Sequence, residues 1–548
     1  MSKLTLYTVI FCSILTACDW NTFLIKSRAE DAIAPAHKTS LVLGNGEEPE
    51  TLDPQMATGI PEIQILRDLF EGLVSTDKNG QIIPAVALSW KSQDGKHWLF
   101  HLRKDARWSN GDVVRAQDFV YSWQRLVDPK TASPYADYLI NMQVENAEAI
   151  VHGKKSVSTL GIKALDDTTL LITLKQPLPY LPSMLISPAV FPIHAPTVKR
   201  FANKWTHPNH WVSNGPYRLK RWYIANRIIA EKNPYYWDRK HVSIKEVVYL
   251  PISQPMFDVI NYMSGREDIT YNAIPPELYS HLKTNYKEEL KPVFQLCTYY
   301  YEFNINKKPF NDERVREALN LLIDREIIVD KAVKTAQPTY SFTPSYINNF
   351  LKIKPQWASL SSSQRKEKAR ELLKAAGFDD SHPLRFELLY DSKPLHKTVA
   401  LAMASQWKTQ LPFIQASLAN REWKSYLAAK RDGSFDLIRR SWCGDYNEPS
   451  AFLNVYKSHS SYTAIAYHNA DYDALLASSL QQKLSNEQRR KLYIQAEKQL
   501  MKDNILIALF NLQMPRLVKP YILGNEGRDP LGYLHIKDIH IKARHEKN

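Results

Sequence analysis

The chain has 548 residues, of which 44% are hydrophobic, 23% charged and 11% aromatic. This ordinary globular composition excludes a disordered chain, a collagen-like chain and a disulfide-rich miniprotein, and the length predicts two or three lobes. The formal net charge is +14. Because the basic residues are spread along the chain, they favour a solvated basic surface over a nucleic-acid groove.

The first 18 residues have the pattern of an export signal. Lys3 is followed by an apolar stretch from Leu4 to Leu15, which is too short to span a bilayer comfortably, and then by small residues and Cys18. Leu15-Thr16-Ala17-Cys18 resembles the bacterial lipobox, which predicts that Cys18 is acylated and anchors the chain to a membrane. A plain signal peptide with an incidental cysteine is the alternative. Asp19 resembles the residue that retains lipoproteins in the inner membrane, so we expect an outward-facing periplasmic protein held there.

Residues 19–38 are polar and without periodicity, which predicts a tether. Beyond the tether, two strand patterns and a tight turn come first. Residues 96–103 and 169–175 are rich in strand-forming residues, and Asn110-Gly111 is typical of a tight turn.

Two amphipathic helices are predicted further along the chain. One covers residues 313–326 and is capped by Asn311-Asp312; the other covers residues 484–501 and is capped by Ser485 or Asn486. No later apolar run is long enough to span a bilayer. Together the patterns predict a mixed α/β protein with several lobes.

Cysteine usage is sparse. Cys12 and Cys18 lie in the signal, and Cys297 and Cys443 lie far downstream. In an exported chain this even pair favours one disulfide, Cys297–Cys443, over two separate buried thiols.

Motifs for catalysis and cofactor binding are missing from the sequence. Hydrolase, zinc-peptidase, P-loop, thiol-redox and dinucleotide signatures do not occur, so we expect no catalytic residue, cofactor or metal. His535, His540 and His545 have a spacing that fits neither a helix face nor a strand face, and we expect them to be solvated. His207 and His210 flank a Pro-Asn turn and are expected to be structural. An enzyme with residues scattered over the fold stays open as an alternative.

Three segments carry a resemblance to a known family. They are KDARWSNGDVVRAQDFVYSWQRLVD at 104–128, PFNDERVREALNLLIDR at 309–325 and FDLIRRSWCGDYNEP at 435–449. They resemble the periplasmic oligopeptide-binding proteins, which are the solute-binding subunits of peptide ABC importers in the dipeptide, oligopeptide and nickel-binding family. The similarity runs from about Thr39 to the C-terminus and includes both downstream cysteines.

The resemblance implies an α/β fold of the three-lobed periplasmic binding-protein type (type II-like, cluster C), with a ligand cleft between two jaws. Lobe I is expected to be discontinuous. The implied limits are 39–70, 195–296 and 513–548 for lobe I, 71–194 for lobe II and 297–512 for lobe III.

The implied function is capture of short peptides and delivery to an inner-membrane permease with cytoplasmic ATPases, without chemistry on the ligand. The protein is expected to be a monomer without cofactors. A receptor for murein tripeptide is the alternative within the family. An exported peptidase and a lipoprotein that binds cell-wall polymer are alternatives from other classes.

Asp445 is the main candidate for binding the peptide's α-ammonium. Trp442-Cys443-Gly444-Asp445 matches the family segment whose aspartate has this role. On composition alone, Gly-Asp-Tyr-Asn predicts a surface turn instead.

Three cations are candidates for the peptide's carboxylate. By resemblance these are Arg439, His396 and Lys430, where Lys430 replaces a family arginine and so loses the planar fork of donors. Arg439 pairing with a structural carboxylate and His396 capping a helix are the alternatives.

Other positions match the lining of the family's cleft. Strand parity in the run 297–302 places Tyr300 and Glu302 on one face, and Tyr299 and Tyr301 on the opposite, core-facing side. Thr58 stands where the family has a glutamate near the cleft. The candidate lining residues are Ile60, Tyr135, Tyr271, Asn272, Tyr300, Glu302, Trp423, Trp442 and Cys443.

Overall fold

A computed structural model describes residues 38–458, 460, 462–524 and 529–542, with the backbone alone at 423 and 424. The predicted signal with Cys18, the tether up to residue 37, and His545 lie outside the described residues.

Sixteen α-helices occur in the described part of the chain, numbered here in chain order. They are α1 (Ile60–Leu69), α2 (Ala116–Val127), α3 (Ala136–Asn141), α4 (Ala147–Val151), α5 (Leu181–Met184), α6 (Ala195–Phe201), α7 (Pro255–Met263), α8 (Pro276–Asn285), α9 (Glu313–Leu321), α10 (Arg325–Ile328), α11 (Ser362–Ala375), α12 (Pro394–Gln410), α13 (Trp423–Asp432), α14 (Ser450–Leu453), α15 (Ala470–Ser479) and α16 (Asn486–Asp503).

Two four-stranded sheets come mostly from the first half of the chain. The first has the order β1-β10-β9-β8, and only its β1–β10 pair is parallel; the second is antiparallel with the order β4-β5-β7-β6. Their strands are β1 (Ser40–Gly44), β8 (Tyr217–Tyr223), β9 (Arg227–Lys232) and β10 (Glu246–Leu250), and β4 (Ala87–Lys91), β5 (His97–Leu102), β6 (Ile162–Asp166) and β7 (Thr169–Thr173).

The third sheet has six strands, in the order β13-β17-β12-β16-β14-β15. Strand β14 is parallel to both β15 and β16, whereas β12 is antiparallel to β16 and β17. The strands are β12 (Phe294–Phe303), β13 (Gln337–Pro338), β14 (Leu384–Asp391), β15 (Ile414–Arg421), β16 (Leu437–Cys443) and β17 (Leu506–Gln513).

Three two-stranded pairs complete the topology. They are β2 (Val74–Thr76) with β3 (Ile82–Pro84), β11 (Leu290–Lys291) with β18 (Arg516–Leu517), and β19 (Ile522–Leu523) with β20 (His540–Ile541). The β11–β18 pair lies directly before β12 and after β17, so the chain enters and leaves the six-stranded sheet at adjacent points.

The core follows the sheets. One buried apolar cluster spans the two four-stranded sheets and reaches one face of the six-stranded sheet, where it includes Tyr300 and Ile438. A second cluster covers the opposite face with Tyr299 and Tyr301, against residues of α9, α11 and α12. Burial on both faces explains why β17 is apolar from Leu506 to Phe510.

Several predicted elements are present. The predicted strands correspond to β5 and β7, and Gly111 adopts a φ of +96° in the Asn-Gly turn. Ser485 caps α16 through a reciprocal pair of hydrogen bonds with Gln488. The helix predicted over 313–326 is wrong in its extent, since α9 ends at Leu321 and Asp324 caps a separate short helix, α10.

The histidine predictions are mixed. His210 stacks on Phe201 with ring centroids 3.8 Å apart, which fits a structural role. His535 is not solvated: its Nε2 lies 2.9 Å from Asp529 and its side chain is 7% exposed. The described residues hold no group of three or more His, Cys, Asp or Glu suited to a metal ion, and no described helix is both long and apolar enough to cross a membrane.

Candidate functional site

The candidate site lies at one edge of the six-stranded sheet, where three parallel strands end. Strand β14 ends at Asp391, β15 at Arg421 and β16 at Cys443, and their shared direction brings these carboxyl ends together. Crevices at the carboxyl ends of parallel strands are the usual ligand sites of open α/β sheets. The candidates His396, Trp423 and Asp445 follow these three ends in turn.

A disulfide fixes one end of this edge. Cys297 and Cys443 face each other across β12 and β16, with their Cα atoms 4.0 Å apart and their sulfur atoms 2.04 Å apart. The disulfide predicted from the sequence is therefore present in the structure. It ties the end of β16, and the Gly444-Asp445 loop that follows, to the start of β12.

Gly444 is required by close packing in this loop. A Cβ atom at this position would lie 2.9 Å from Cε2 of Phe452 and 3.3 Å from Cβ of Ala451. Its N–H donates to the carbonyl of Leu296 at 2.8 Å. The loop is therefore held against α14, and Asp445 projects from a fixed backbone.

The Asp445 carboxylate has no counter-charge within the described part of the chain. No hydrogen bond or ion pair joins it to a residue that the structure describes. Burial by surrounding protein raises its pKa, although the side chain stays open to solvent. Burial of the phenol groups is the main cause of the raised pKa values of Tyr135, Tyr138 and Tyr462, and the negative charge of Asp445 raises these pKa values further. An unpaired carboxylate in such surroundings is suited to bind a cation.

A cavity of about 220 Å³ adjoins Asp445. Tyr138 and Tyr180 line it from the first half of the chain, and Trp442, Asp445 and Tyr462 from the second. Trp442 donates through Nε1 to the carbonyl of Ala451 at 2.7 Å, and its ring meets that of Tyr462 edge-on at 5.0 Å. The cavity thus lies between two parts of the molecule, as a site that closes on its ligand requires.

Two of the three candidate cations share one buried carboxylate. Nδ1 of His396 hydrogen-bonds to Asp391, and Nη1 of Arg439 lies 3.8 Å from the same oxygen. Arg439 also lies over the ring of Tyr299 at 4.7 Å. Arg439 thus faces a structural carboxylate, whereas His396 does not cap α12, whose N-cap is Lys393.

Burial and the neighbouring Arg439 lower the pKa of His396 to about 4, against the opposing effect of Asp391. The imidazole is therefore neutral at pH 7. It donates one hydrogen bond to Asp391 and contributes no positive charge to the site.

Tyr300 and Glu302 share a face of β12, as strand parity predicts, but neither is open to a cleft. Both are 0% exposed. Glu302 accepts from Arg440 at 2.6 Å and from the hydroxyl of Tyr456 at 2.7 Å. They do not line an open cleft in this structure, because the ring of Phe342 meets that of Tyr300 edge-on at 5.1 Å and Tyr456 lies against Glu302.

Four of the remaining candidates lie in the first half of the chain, and Trp423 lies in the second half. Tyr135 is half-buried and Ile60 is 58% exposed. The backbone N–H groups of Tyr271 and Asn272 donate to Oδ2 of Asp258 at 2.9 and 2.7 Å. Trp423 begins α13, and its side chain lies outside the described part of the structure.

Comparison with known proteins identifies the family. The family described as bacterial extracellular solute-binding proteins, family 5 Middle, matches residues 81–464. The periplasmic oligopeptide-binding protein OppA of Salmonella typhimurium is 44% identical over 543 residues, which cover 99% of this chain and 99% of that protein. The chain belongs to family 5 of the bacterial extracellular solute-binding proteins.

Solved structures support the fold of this family 5 protein. The unliganded open form of the murein tripeptide-binding protein MppA superposes with a TM-score of 0.85 at 38% identity, covering 93% of this chain and 98% of that chain. Haemophilus influenzae OppA in complex with RPPGFSPFR superposes with a TM-score of 0.74 at 40% identity, covering 92% of this chain and 99% of that chain. The expected α/β, multi-lobed binding-protein fold with a ligand cleft is confirmed. The TM-score is higher for open MppA than for the OppA–peptide complex, although the identity is lower. The parts of this family 5 protein are therefore arranged more as in the unliganded open form of MppA.

Sequence reasoning missed Asp391, Arg440 and the cavity residues Tyr180 and Tyr462. A signal for Arg440 was present: pairing Cys297 with Cys443 on antiparallel strands sets a register that puts Arg440 opposite Tyr300 and beside Glu302. No comparable signal identified the two tyrosines, since the loops that carry them are placed by tertiary packing.

Proposed function

We propose that this family 5 protein is a periplasmic receptor that binds short oligopeptides and delivers them to an ABC importer of the inner membrane. The observation that carries the proposal is the unpaired Asp445 carboxylate beside a cavity at the carboxyl ends of parallel strands. A peptide's α-ammonium would supply the missing counter-charge. The described chain offers further cations along the same sheet edge for the peptide's carboxylate.

In this proposal the ligand lies extended between two jaws. The three sheets support division into lobe I (39–70, 195–296 and 513–548), lobe II (71–194) and lobe III (297–512). Tyr180 and Tyr446 stack between lobes II and III with centroids 5.7 Å apart. Backbone recognition of an extended peptide leaves side-chain identity largely free.

We also propose that the ligand is released intact. Membership of a family of solute-binding proteins supports this. The residues that line the cavity include no histidine; Ser450 pairs with the hydroxyl of Tyr446, and Ser479 donates to the carbonyl of Leu476. Neither serine is therefore hydrogen-bonded, among the described residues, to the histidine base that commonly activates a serine nucleophile.

A murein tripeptide receptor is the second candidate. It is favoured by Lys430 at a position where oligopeptide receptors have arginine, and by the likeness to MppA. The compact ammonium of lysine lacks the planar pair of donors of an arginine guanidinium, so Lys430 suits a ligand whose carboxylate is placed differently.

Acylation of Cys18 belongs to the same proposal. It would hold a monomeric receptor near its permease, with residues 19–38 as a tether. Mass spectrometry of the mature protein from membranes tests this through the mass of its first residue.

The function is tested by thermal unfolding with tri- to pentapeptides. Ligand at about 100 times its dissociation constant should stabilise the fold by about 2.7 kcal/mol, and mass spectra should show no new fragments. Time-dependent cleavage would favour the peptidase, and stabilisation by murein tripeptide alone would favour the second candidate.

A further inference from the structure

Two buried carboxyl groups lie side by side next to the Tyr271-Asn272 segment. Asp258 lies on α7 and is 1% exposed, and Glu267 lies in the loop after this helix and is 0% exposed. A Cβ atom on Gly44, the last residue of β1, would lie 2.5 Å from Oδ1 of Asp258 and 2.7 Å from Oε1 of Glu267. Both carboxyl groups therefore pack against the same side of a glycine, where a larger residue would not fit.

The hydrogen bonds of this pair require a shared proton. Oδ2 of Asp258 accepts from the N–H groups of Tyr271 and Asn272, at 2.9 and 2.7 Å. Oδ1 of Asp258 and both oxygens of Glu267 are buried, with no donor among the other described residues. The two side chains hydrogen-bond to each other, which requires a proton on one of them. Two carboxylates side by side in a buried site cannot both be ionised.

The charged groups around the pair favour an ionised Asp258. Arg516 lies over the ring of Tyr271 at 5.4 Å, and its positive charge acts on Asp258. Two backbone N–H groups also stabilise the charged form of Asp258. The proton therefore belongs on Glu267.

Glu267 itself lacks a nearby cation because the neighbouring Asp268 takes the available partners. Asp268 accepts from Nζ of Lys38 at 2.5 Å and from the hydroxyl of Tyr521 at 2.6 Å. Burial raises the pKa of Glu267 to about 11, helped by Asp258 and Asp268 and opposed by the N–H of Gly44. The carboxyl group of Glu267 is thus neutral at pH 7 and can act as a donor.

We propose that Glu267 is a positioning residue that donates a hydrogen bond from its carboxyl group to Asp258 and thereby holds the Tyr271-Asn272 segment in the ligand cleft. The side chain of Asn272 adds a bond to the carbonyl of Ile252 at 2.7 Å. The role in ligand binding rests on the proposed function, whereas the shared proton does not.

Calorimetry with alanine tripeptide at pH 7 tests the positioning role. Glu267→Gln supplies an amide N–H in place of the carboxyl O–H, so it should keep the affinity of the wild type. Glu267→Met fills a similar volume but leaves Oδ1 of Asp258 without a donor, so affinity should fall on the order of 10-fold. Hydrogen exchange at the N–H groups of Tyr271 and Asn272 should rise in Glu267→Met alone. Glu277→Gln, at an exposed site of α8, is the control and should match the wild type.

The pH dependence of unfolding tests the shared proton without any ligand. The pKa of Glu267 is 4.5 ordinarily and about 11 in the folded protein, so between these values the folded protein binds a proton that the unfolded chain does not. Stability should therefore fall as pH rises in the wild type relative to Glu267→Gln, by up to about tenfold in the folding equilibrium constant per pH unit. Urea unfolding at pH 6, 7.5 and 9 measures the difference, and other buried acids cancel in this comparison.

Three results would overturn the inference. Equal peptide affinity in the wild type, Glu267→Gln and Glu267→Met would exclude the positioning role and leave the proposed function standing. Parallel pH profiles for the wild type and Glu267→Gln would exclude the shared proton. Weak peptide binding by a folded Glu267→Gln would show that binding needs a charge at this position, and this result decides the matter even if Glu267→Met does not fold. Absence of peptide binding to the wild type would overturn the proposed function and the positioning role together, while the pH profiles would still test the proton.

Discussion

His396 and Asp391 form a buried hydrogen-bonded pair at the carboxyl end of β14. The pair keeps the imidazole in one orientation beside Arg439, whose charge disfavours protonation of His396. A histidine held neutral in this way makes stability depend on pH.

We expect the free energy of unfolding to fall between about pH 6.5 and pH 4 through His396. Its pKa is 6.5 ordinarily and about 4 in the folded protein, so over this range the unfolded chain binds a proton that the folded protein does not. The loss is at most about 3 kcal/mol and is complete below pH 4.

Urea unfolding at pH 7 and pH 4.5 measures this effect. His396→Asn retains a donor for Asp391 but does not titrate, so it should lose less stability than the wild type on acidification. His382→Asn, at an exposed site, is the control and should follow the wild type. Parallel pH profiles for wild type and His396→Asn would contradict the prediction.

The Cys297–Cys443 bond should stabilise the fold and the site together. It closes a separation of 146 residues. A disulfide typically contributes roughly 2–4 kcal/mol, through the lost freedom of the unfolded chain. The double serine variant of a soluble chain beginning at Asp19 should be less stable by about this amount in urea, and should bind peptide more weakly because Asp445 lies two residues beyond Cys443. Two reactive thiols in the denatured, unreduced protein would show that the bond does not form.

Helix capping gives a prediction away from the site. Ser485 accepts from the N–H of Gln488 at 3.2 Å, and its own N–H donates to that side chain at 2.8 Å. Ser485→Ala should cost about 1 kcal/mol of stability without changing peptide affinity. Ser361→Ala is the matched variant, since Ser361 and Gln364 make the same pair of bonds at α11. Unchanged unfolding in both variants would contradict the role of these caps.

Local chemistry explains which parts of the fold were predictable. The Ser485 cap, the Asn-Gly turn and the two strands depend on residues near in sequence, and the structure has them. The helix over 313–326 ends early because Asp324 competes as a second cap, and the apolar spacing used for the prediction does not register such competition.

The candidate site was predictable only where a sequence motif or the alternation of a strand identifies individual residues. Asp445 was chosen as a candidate through its motif, and strand parity put Tyr300 and Glu302 on one face of β12, as the structure has them. Their burial was not predictable, since it arises from Phe342 and Tyr456, which are distant in sequence and pack against β12. The buried ion pair of Arg440 with Glu302 likewise joins residues 138 positions apart.

Asp445→Asn should abolish useful peptide binding without unfolding the protein. The carboxylate has no partner to lose among the described residues, so the folded state should be unaffected or slightly stabilised. In the complex, by contrast, the peptide's ammonium would stay enclosed without a counter-charge. Leaving one charge of a buried ion pair without its partner costs roughly 3–5 kcal/mol. Peptide affinity should therefore fall on the order of 10²–10³-fold or more.

Calorimetry with free and N-acetylated forms of one tripeptide tests the assignment of Asp445. The acetylated peptide lacks the ammonium, so it should bind the wild type weakly and should hardly distinguish wild type from Asp445→Asn. Asp137→Asn is the matched control, because Asp137 lies on the neighbouring helix α3 and its charge, like that of Asp445, acts on Tyr462. If Asp445 acted on the peptide only through long-range electrostatics, Asp445→Asn and Asp137→Asn would weaken binding to the same extent. If the free tripeptide keeps its affinity for Asp445→Asn, then Asp445 is a turn residue and the ammonium binds elsewhere.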